Sequence, residues 1–357
     1  MTAVWVRSRA EFEALAPAWD EAIEASGTDN PFVLSQFLLL WAETFTPHSG
    51  LRVLVLRQGG AIVGGLPLFV SRRRRWPREP RLRMAGLGFA NYTEPFRVAE
   101  AAAGLGAAVG RALRGLPGWS WLHLPLQRQA TGAEPGWWAQ TGLRWYARPA
   151  GSSGRVVVPL TSAAQSAGEY FAALRPGMQA NLRRSLRLAA AAGPVRLVRE
   201  TDPVRIAAMI EFQLRHNGPG RYPPEEELGA TRAQWAAFTR RLLTALAAHG
   251  RLDAMALYLG EALAAVGFGF RHGAGYKSLL TAYDPRFRAC GPGFVFFHHL
   301  IDWCCANGEP CLEMYADADE FEKRRWCNQR LPLVELRLFA PTVRGRLLAA
   351  AARSRGW

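Results

Sequence analysis

The apolar positions of this chain recur with two different periods, and the alternation between them sets its predicted elements. Val4–Val6 reads as a short strand. From Ser8, Phe12, Leu15, Trp19 and Ile23 fall at helical spacing and predict an amphipathic helix. Asn30-Pro31 ends it, and Phe32–Phe45 predicts a second, more apolar helix. Leu51–Leu56 and Ala61–Val70 are β-rich runs around Gln58-Gly59-Gly60, the signature of a hairpin. Leu82–Phe89 predicts a further strand, residues 99–115 an Ala/Gly-rich helix, and Trp119–Leu124 a strand.

The second half opens with Val156–Leu160 and a helix over Gly168–Leu174. After the break at Pro176-Gly177, a basic helix runs over Met178–Ala192, followed by the strand Val195–Arg199. Helices are predicted over Ile206–His216 and Arg232–Ala248. Ala254–Leu259, the turn Gly260-Glu261 and Leu263–Phe270 then repeat the first hairpin. Tyr276–Tyr283, a glycine loop, the aromatic helix Phe294–Ala306 and the strand Cys311–Tyr315 repeat what followed it. The layout is an internal duplication, each copy reading helix, β-hairpin, strand, helix, strand. It predicts an α/β (α+β, mixed-sheet) fold in two tandem domains, residues 1–150 and 151–357.

Composition narrows the class. At 357 residues and 49% apolar the chain can bury two cores, and no apolar run approaches the ~20 residues of a membrane span. No secretory segment is visible at the N-terminus, so a soluble cytoplasmic protein is expected. The five cysteines have no metal-ligand spacing and read as free thiols; no metal is expected.

The net charge is +15, with 17 basic against 11 acidic residues in 1–150 and 27 against 18 in the rest. Only Lys277 and Lys323 of the 44 basic residues are lysines, so coding bias toward arginine explains part of the excess. A polyanion such as tRNA explains the same charge otherwise. The run Arg72–Arg75 is either a solvated hairpin tip or an arm for such a partner. Asn91, Tyr92 and Glu94 gather at a strand end, where they line a cleft or form a plain turn. Arg183 and Arg184 on the basic helix either bind an anionic acceptor or cover a solvated face.

The chemistry concentrates in the loop Arg288-Ala289-Cys290-Gly291-Pro292-Gly293, between a strand and a helix. Backbone amides entering a helix at its positive end make an anion site, to which Arg288 adds a charge. Gly291 and Gly293 let the backbone approach a ligand closely, and Pro292 suits a helix entry. His298 and His299 fall inside the helix and read as packed.

This loop resembles motif A of the GNAT acyltransferases, [Gln/Arg]-x-x-Gly-x-[Gly/Ala], which cradles the pyrophosphate of acyl-CoA. The duplication resembles the tandem-GNAT branch of CelD-like acyltransferases and FemAB-type aminoacyltransferases. So does the run Ala282–Pro285, Gly291–Gly293, Asn307-Gly308, Glu313 and Lys323–Trp326, and so does the basic helix with Phe171, Asn181–Arg184 and Gly193.

The resemblance implies a degenerate GNAT-like domain in 1–150 and a GNAT domain in 151–357 that binds acyl-CoA through Arg288, Ala289, Cys290, Gly291, Gly293 and Phe294. It implies direct aminolysis, with a free N–H on the strand Tyr276–Tyr283 polarising the thioester carbonyl, Glu313 or Asp284 as base, and Tyr283 or Tyr315 returning a proton to the thiolate; otherwise Asp284 caps a turn and Glu313 is a solvated strand end. Lys323 and Trp326 either contact acceptor or donor or are a surface cation and a packing aromatic. The last strand departs from the branch, with Glu313-Met314 for its Asp-Phe pair and Phe321–Lys323 for its Tyr-Lys. Three functions follow: an acyl-CoA-dependent N-acyltransferase acting on a small-molecule or peptide amine, a FemAB-like enzyme taking aminoacyl-tRNA as donor, or a non-catalytic binding component of a polysaccharide or natural-product assembly.

Overall fold

The structure, a computed structural model, describes residues 1–28, 30–46, 50–72, 80–86, 95–98, 104–128, 136–160, 167–216, 230–272, 275–316, 326 and 330–355. In chain order the elements begin with β1 (Thr2–Val6), α1 (Arg9–Ser26), α2 (Ser35–Phe45), β2 (Leu51–Gln58), β3 (Ala61–Arg72), β4 (Pro80–Met84) and β5 (Phe96–Arg97). α3 (Leu105–Gly115), β6 (Trp121–Arg128), α4 (Gly136–Ala139) and β7 (Arg144–Pro159) follow. Then come α5 (Ala167–Ala172), α6 (Pro176–Ala192), β8 (Val195–Glu200), α7 (Pro203–His216) and α8 (Arg232–Ala248). The chain continues through β9 (Asp253–Leu259), β10 (Ala262–Arg271), β11 (Tyr276–Tyr283), the 3-10 turn Pro285–Cys290, α9 (Pro292–Ala306), β12 (Cys311–Ala316), β13 (Arg330–Phe339) and α10 (Val343–Ser354).

Two compact units result. The first is built mainly from Met1–Gly154 and Leu331–Trp357, the second from Arg155–Pro223 and Thr231–Arg330. The expected division near residue 150 lies close to the first boundary. It assigned the last stretch of chain differently, because β13 pairs with β6 from Phe339↔Trp121 to Leu333↔Arg128 and so belongs with the first unit. Strand β4 begins and ends earlier than the predicted Leu82–Phe89, and the helix expected over 99–115 is seen from Leu105.

Within the first unit β1, β2, β3 and β4 pair antiparallel in that order, and β4 then pairs parallel with β6. Within the second, β8, β9, β10 and β11 pair antiparallel and β11 pairs parallel with β12. The same succession of strand directions, with two helices after the first strand of each copy, is the duplication in three dimensions. The second copy therefore starts at β8, and α5 and α6 lie between the copies in the chain.

Local sequence explains the elements. Ser8 caps α1 by accepting from the Glu11 N–H, and Thr231 with Gln234 forms a capping box on α8. The β2–β3 hairpin turns through Gly59 and Gly60, both with positive φ, as a two-residue primed turn requires. In the first unit, α3 covers one sheet face through a core of Leu54, Leu66, Leu82, Leu122, Leu336 and their neighbours. In the second, α6 and α9 cover one face around Tyr276, Leu312 and Met314, while Ile206, Met209 and Leu243 of α7 and α8 cover the other. A Cβ on Gly267 of β10 would lie 2.1 Å from Phe296, so that glycine sets how closely α9 approaches the sheet.

Candidate functional site

The loop after β11 is anchored before it turns. Asp284 accepts a hydrogen bond from the Arg286 N–H at 2.9 Å and an ion pair from the Arg286 guanidinium at 2.6 Å. That hydrogen-bonded guanidinium holds the Asp284 carboxyl below the usual aspartate range. Gly291 then adopts the left-handed conformation, φ +59°, and is the N-cap of α9, with Pro292 at the first helical position. No side chain caps this helix. The amides of Gly291, Phe294 and Val295 bond to the carbonyls of Arg288 and Gly291, whereas the Gly293 N–H makes none of the described backbone bonds.

The two glycines play different parts. A Cβ on Gly291 would stand 2.6 Å from the Ser185 Oγ of α6, and Cys290 Sγ contacts the Leu188 carbonyl of the same helix at 3.7 Å. Gly291 is thus required both by its φ and by the approach of α6. A Cβ on Gly293 would meet nothing within 4 Å. The backbone there faces open space, which is the opening an anion needs at a helix N-terminus. Arg288 is exposed at the mouth of the loop, and Phe294 is half-buried behind it.

Strand β11 supplies the floor. Its described pairing with β12 joins Tyr276, Lys277 and Ser278 to Leu312, Glu313 and Met314. On its other edge Gly269 pairs with Ser278 and Phe268 with Leu280, which leaves Leu279 as the extra residue of a bulge. A bulge turns a backbone group away from the ladder and re-aims it. Behind it, the Lys277 ammonium and the Glu313 carboxylate form a buried ion pair across β11 and β12.

The predicted residues divide by place. The structure brings together Arg288, Ala289, Cys290, Gly291, Gly293 and Phe294 with Asp284 at the head of the loop. Tyr283 is exposed at the end of β11. Glu313 sits at the paired base of the two strands, and Tyr315 continues β12 with its side chain outside the described set. Arg183 and Arg184 are exposed on α6, next to Ser185. Trp326 is enclosed in the core, 1% exposed, with edge-on or tilted ring contacts to Phe171, Phe294 and Phe297 and its carbonyl accepting from the Tyr170 hydroxyl. Asn91, Tyr92, Glu94, Lys323 and most of the Arg72–Arg75 run lie outside the described residues. Cys290, Cys304, Cys305 and Cys311 are free thiols.

Sequence reasoning expected a free N–H on the strand Tyr276–Tyr283 but gave no position for it, and it missed the Lys277 ion pair and the Ser185 contact. Lys277 had a signal, being one of two lysines in the chain and lying in an apolar strand. A bulge at Leu279 and the contact of Ser185 with the loop depend on pairing and packing that no local pattern encodes.

Residues 177–324, which hold β8 to β12 and the loop, match the family described as Acetyltransferase (GNAT) domain. Over this segment the chain is similar to GNAT acetyltransferases. No curated protein matches the chain. Among solved structures, the chain is similar to FemX, with a TM-score of 0.56 and 11% identity over 98% of this chain and 100% of that one. A conserved protein of unknown function from Bacteroides thetaiotaomicron gives 0.54 and 9% over 93% and 97%. A tandem GNAT protein from the clavulanic acid biosynthesis pathway gives 0.50 and 16% over 95% and 99%. At these identities the likeness is one of fold, a tandem GNAT fold. No helix among the described residues is long and apolar enough to cross a membrane.

Proposed function

We propose that the chain is an N-acyltransferase that moves an acyl group from acyl-CoA to an amine, with both reactants held at once. The observation that carries this reading is the uncapped start of α9, where Gly293 leaves the backbone open beside the exposed Arg288. A pyrophosphate fits these donors: backbone N–H, a helix N-terminus and a guanidinium. When bound, CoA supplies the acyl thioester, and the chain's own residues do the rest.

The backbone N–H at the Leu279 bulge is the donor we assign to the thioester carbonyl, where charge develops as the amine attacks. The new C–N bond forms as C–S breaks, the amine's proton passes to a base, and the thiolate collects a proton from Tyr283 or Tyr315. Glu313 is the preferred base, acting through water. Asp284 serves less well, because its bonds to the Arg286 N–H and guanidinium commit it to the head of the 3-10 turn. Arg183 and Arg184 are assigned to an anionic part of the acceptor, with Asn91, Tyr92, Glu94 and Lys323. Trp326, enclosed as it is, acts as a wall for Phe294. The reading places the protein in the cytoplasm, where acyl-CoA is made, and the acceptor is a small-molecule or peptide amine.

One observation favours a second donor. Arg183, Arg184 and Arg187 are exposed on α6, the helix that touches the loop through Ser185 and Leu188. A basic face beside the donor site suits aminoacyl-tRNA in the FemAB manner. Calorimetry with CoA, acetyl-CoA, a long-chain acyl-CoA and an aminoacyl-tRNA tests both readings. We expect CoA species to bind, with affinity lost on Arg288→Ala and little change on Arg183→Ser. Salt-sensitive tRNA binding lost on Arg183→Ser/Arg184→Ser, without CoA binding, promotes the second. Binding of neither leaves the non-catalytic component of an assembly.

A further inference from the structure

One turn beyond the loop, His298, His299 and Asp302 of α9 bring one potential ligand atom each to within 4.8 Å of one another. We propose that these three side chains form a binding site for a divalent transition metal of the zinc class. Asp302 is the hub, its Oδ2 lying 3.5 Å from His298 Nε2 and 3.9 Å from His299 Nδ1. Both separations are too long for well-made hydrogen bonds, so the trio is not explained as an ordinary helical His–Asp pair. Tetrahedral zinc with bonds of about 2.1 Å sets neighbouring ligand atoms ~3.4 Å apart, and small side-chain rotations reach that spacing.

The surroundings favour a ligand set over a packed pair. The three side chains are 18%, 28% and 40% exposed, so an ion can reach them. The His298 ring is held against Phe171 with centroids 4.2 Å apart, which fixes its orientation in advance. Its Nδ1 is buried and makes no hydrogen bond in the structure, leaving Nε2 as the nitrogen turned to the cluster. A dication would pair with the Asp302 carboxylate and take one lone pair from each imidazole. Two imidazoles and one carboxylate, with the remaining position left to water, select zinc, nickel or copper over magnesium. The cysteine spacing gave no sign of this site, and the histidines read as packed, because neighbouring positions on a helix diverge unless a third residue one turn on collects them.

Such a site would tie the second turn of α9 to α5 through Phe171 without entering the loop. The test uses the full chain, free of any tag and stripped of metal, with zinc titrated against a chromophoric chelator. Wild type is expected to take one zinc per chain and Asp302→Asn to lose most of it, with His298→Ala losing the rest. CoA binding is expected to stay unchanged in Asp302→Asn, which separates failure of the metal site from failure of the donor site. Cobalt substitution reads the geometry through its d–d absorption. Zinc uptake equal in wild type and in a His298→Ala/Asp302→Asn variant that melts normally, or no uptake by wild type, overturns the proposal.

Discussion

Lys277 Nζ and Glu313 Oε2 lie 2.9 Å apart on adjacent parallel strands, with each side chain only 5% exposed. The pair holds β11 against β12 at the base of the proposed thioester site, and it gives Glu313 two possible duties. Removing one partner breaks a buried ion pair, which costs about 3–5 kcal/mol. Lys277→Met and Glu313→Gln are each expected to lower the unfolding midpoint in urea. Lys277→Met/Glu313→Leu is expected to recover most of the stability. If Glu313 is the base, the recovered double variant still turns over at least tenfold more slowly than wild type. Full activity in that variant leaves Glu313 a structural partner only.

Gly291 and Gly293 should answer differently to alanine. At Gly291 the left-handed backbone and the Ser185 Oγ at 2.6 Å both oppose a side chain. The backbone term alone is about 1–2 kcal/mol. Gly291→Ala is expected to destabilise by more than that, and Ser185→Ala in the same chain to return the part due to the clash. At Gly293 the added methyl meets open space, so thermal stability should change by less than about 0.5 kcal/mol. CoA affinity should nonetheless fall about tenfold, because the methyl occupies the anion's approach. Unchanged affinity in Gly293→Ala would move the pyrophosphate elsewhere.

The duplication, its hairpins and the glycine loop were legible because each is written in local periodicity or in turn residues. Gly59-Gly60 and Gly260 mark hairpins wherever they stand, and Arg288–Gly293 mark a helix entry by their order. What was not legible depends on partners distant in sequence. β13 joins the first unit through β6, more than 200 residues away, and nothing in Leu331–Phe339 names that partner. Trp326 read equally as a substrate contact and as a packing aromatic, and only its surroundings, Tyr170, Phe171, Phe294 and Phe297, tell the two apart. Glu313 read as a base or a solvated strand end, because its partner Lys277 is 36 positions away and on another strand.

Asp284 separates from Glu313 by its pH behaviour. The Arg286 guanidinium lowers the folded pKa of Asp284, so its stabilising contribution is present above the unfolded value near 3.8 and is lost as pH falls below it. Asp284→Ala, which removes the cap at the head of the 3-10 turn, is expected to cost about 1 kcal/mol. Because the group is already ionised well below neutrality, Asp284→Asn should leave any limb of the rate profile between about pH 6 and 9 in place. Glu313→Gln should remove that limb if Glu313 is the base. A limb that disappears in Asp284→Asn alone reverses the two assignments.

In the first unit, Glu335 of β13 accepts from His123 Nε2 at 2.6 Å and from Arg148 Nε at 3.0 Å. Burial alone would raise its pKa, but these hydrogen bonds and the Arg337 charge outweigh it and bring the carboxyl to about 2. The folded pKa is therefore below the unfolded value of 4.5, and the group stabilises the fold above about pH 4.5. That contribution disappears as pH falls from there toward 2. Full linkage at 1.36 kcal/mol per pKa unit overstates it, since Arg148 is half-exposed, and about 1–2 kcal/mol is the expected size. Urea unfolding from pH 7 to pH 3 should show wild type losing this amount relative to Glu335→Gln, whose curve is flatter. Parallel curves for the two proteins would mean that the carboxylate contributes nothing to acid stability.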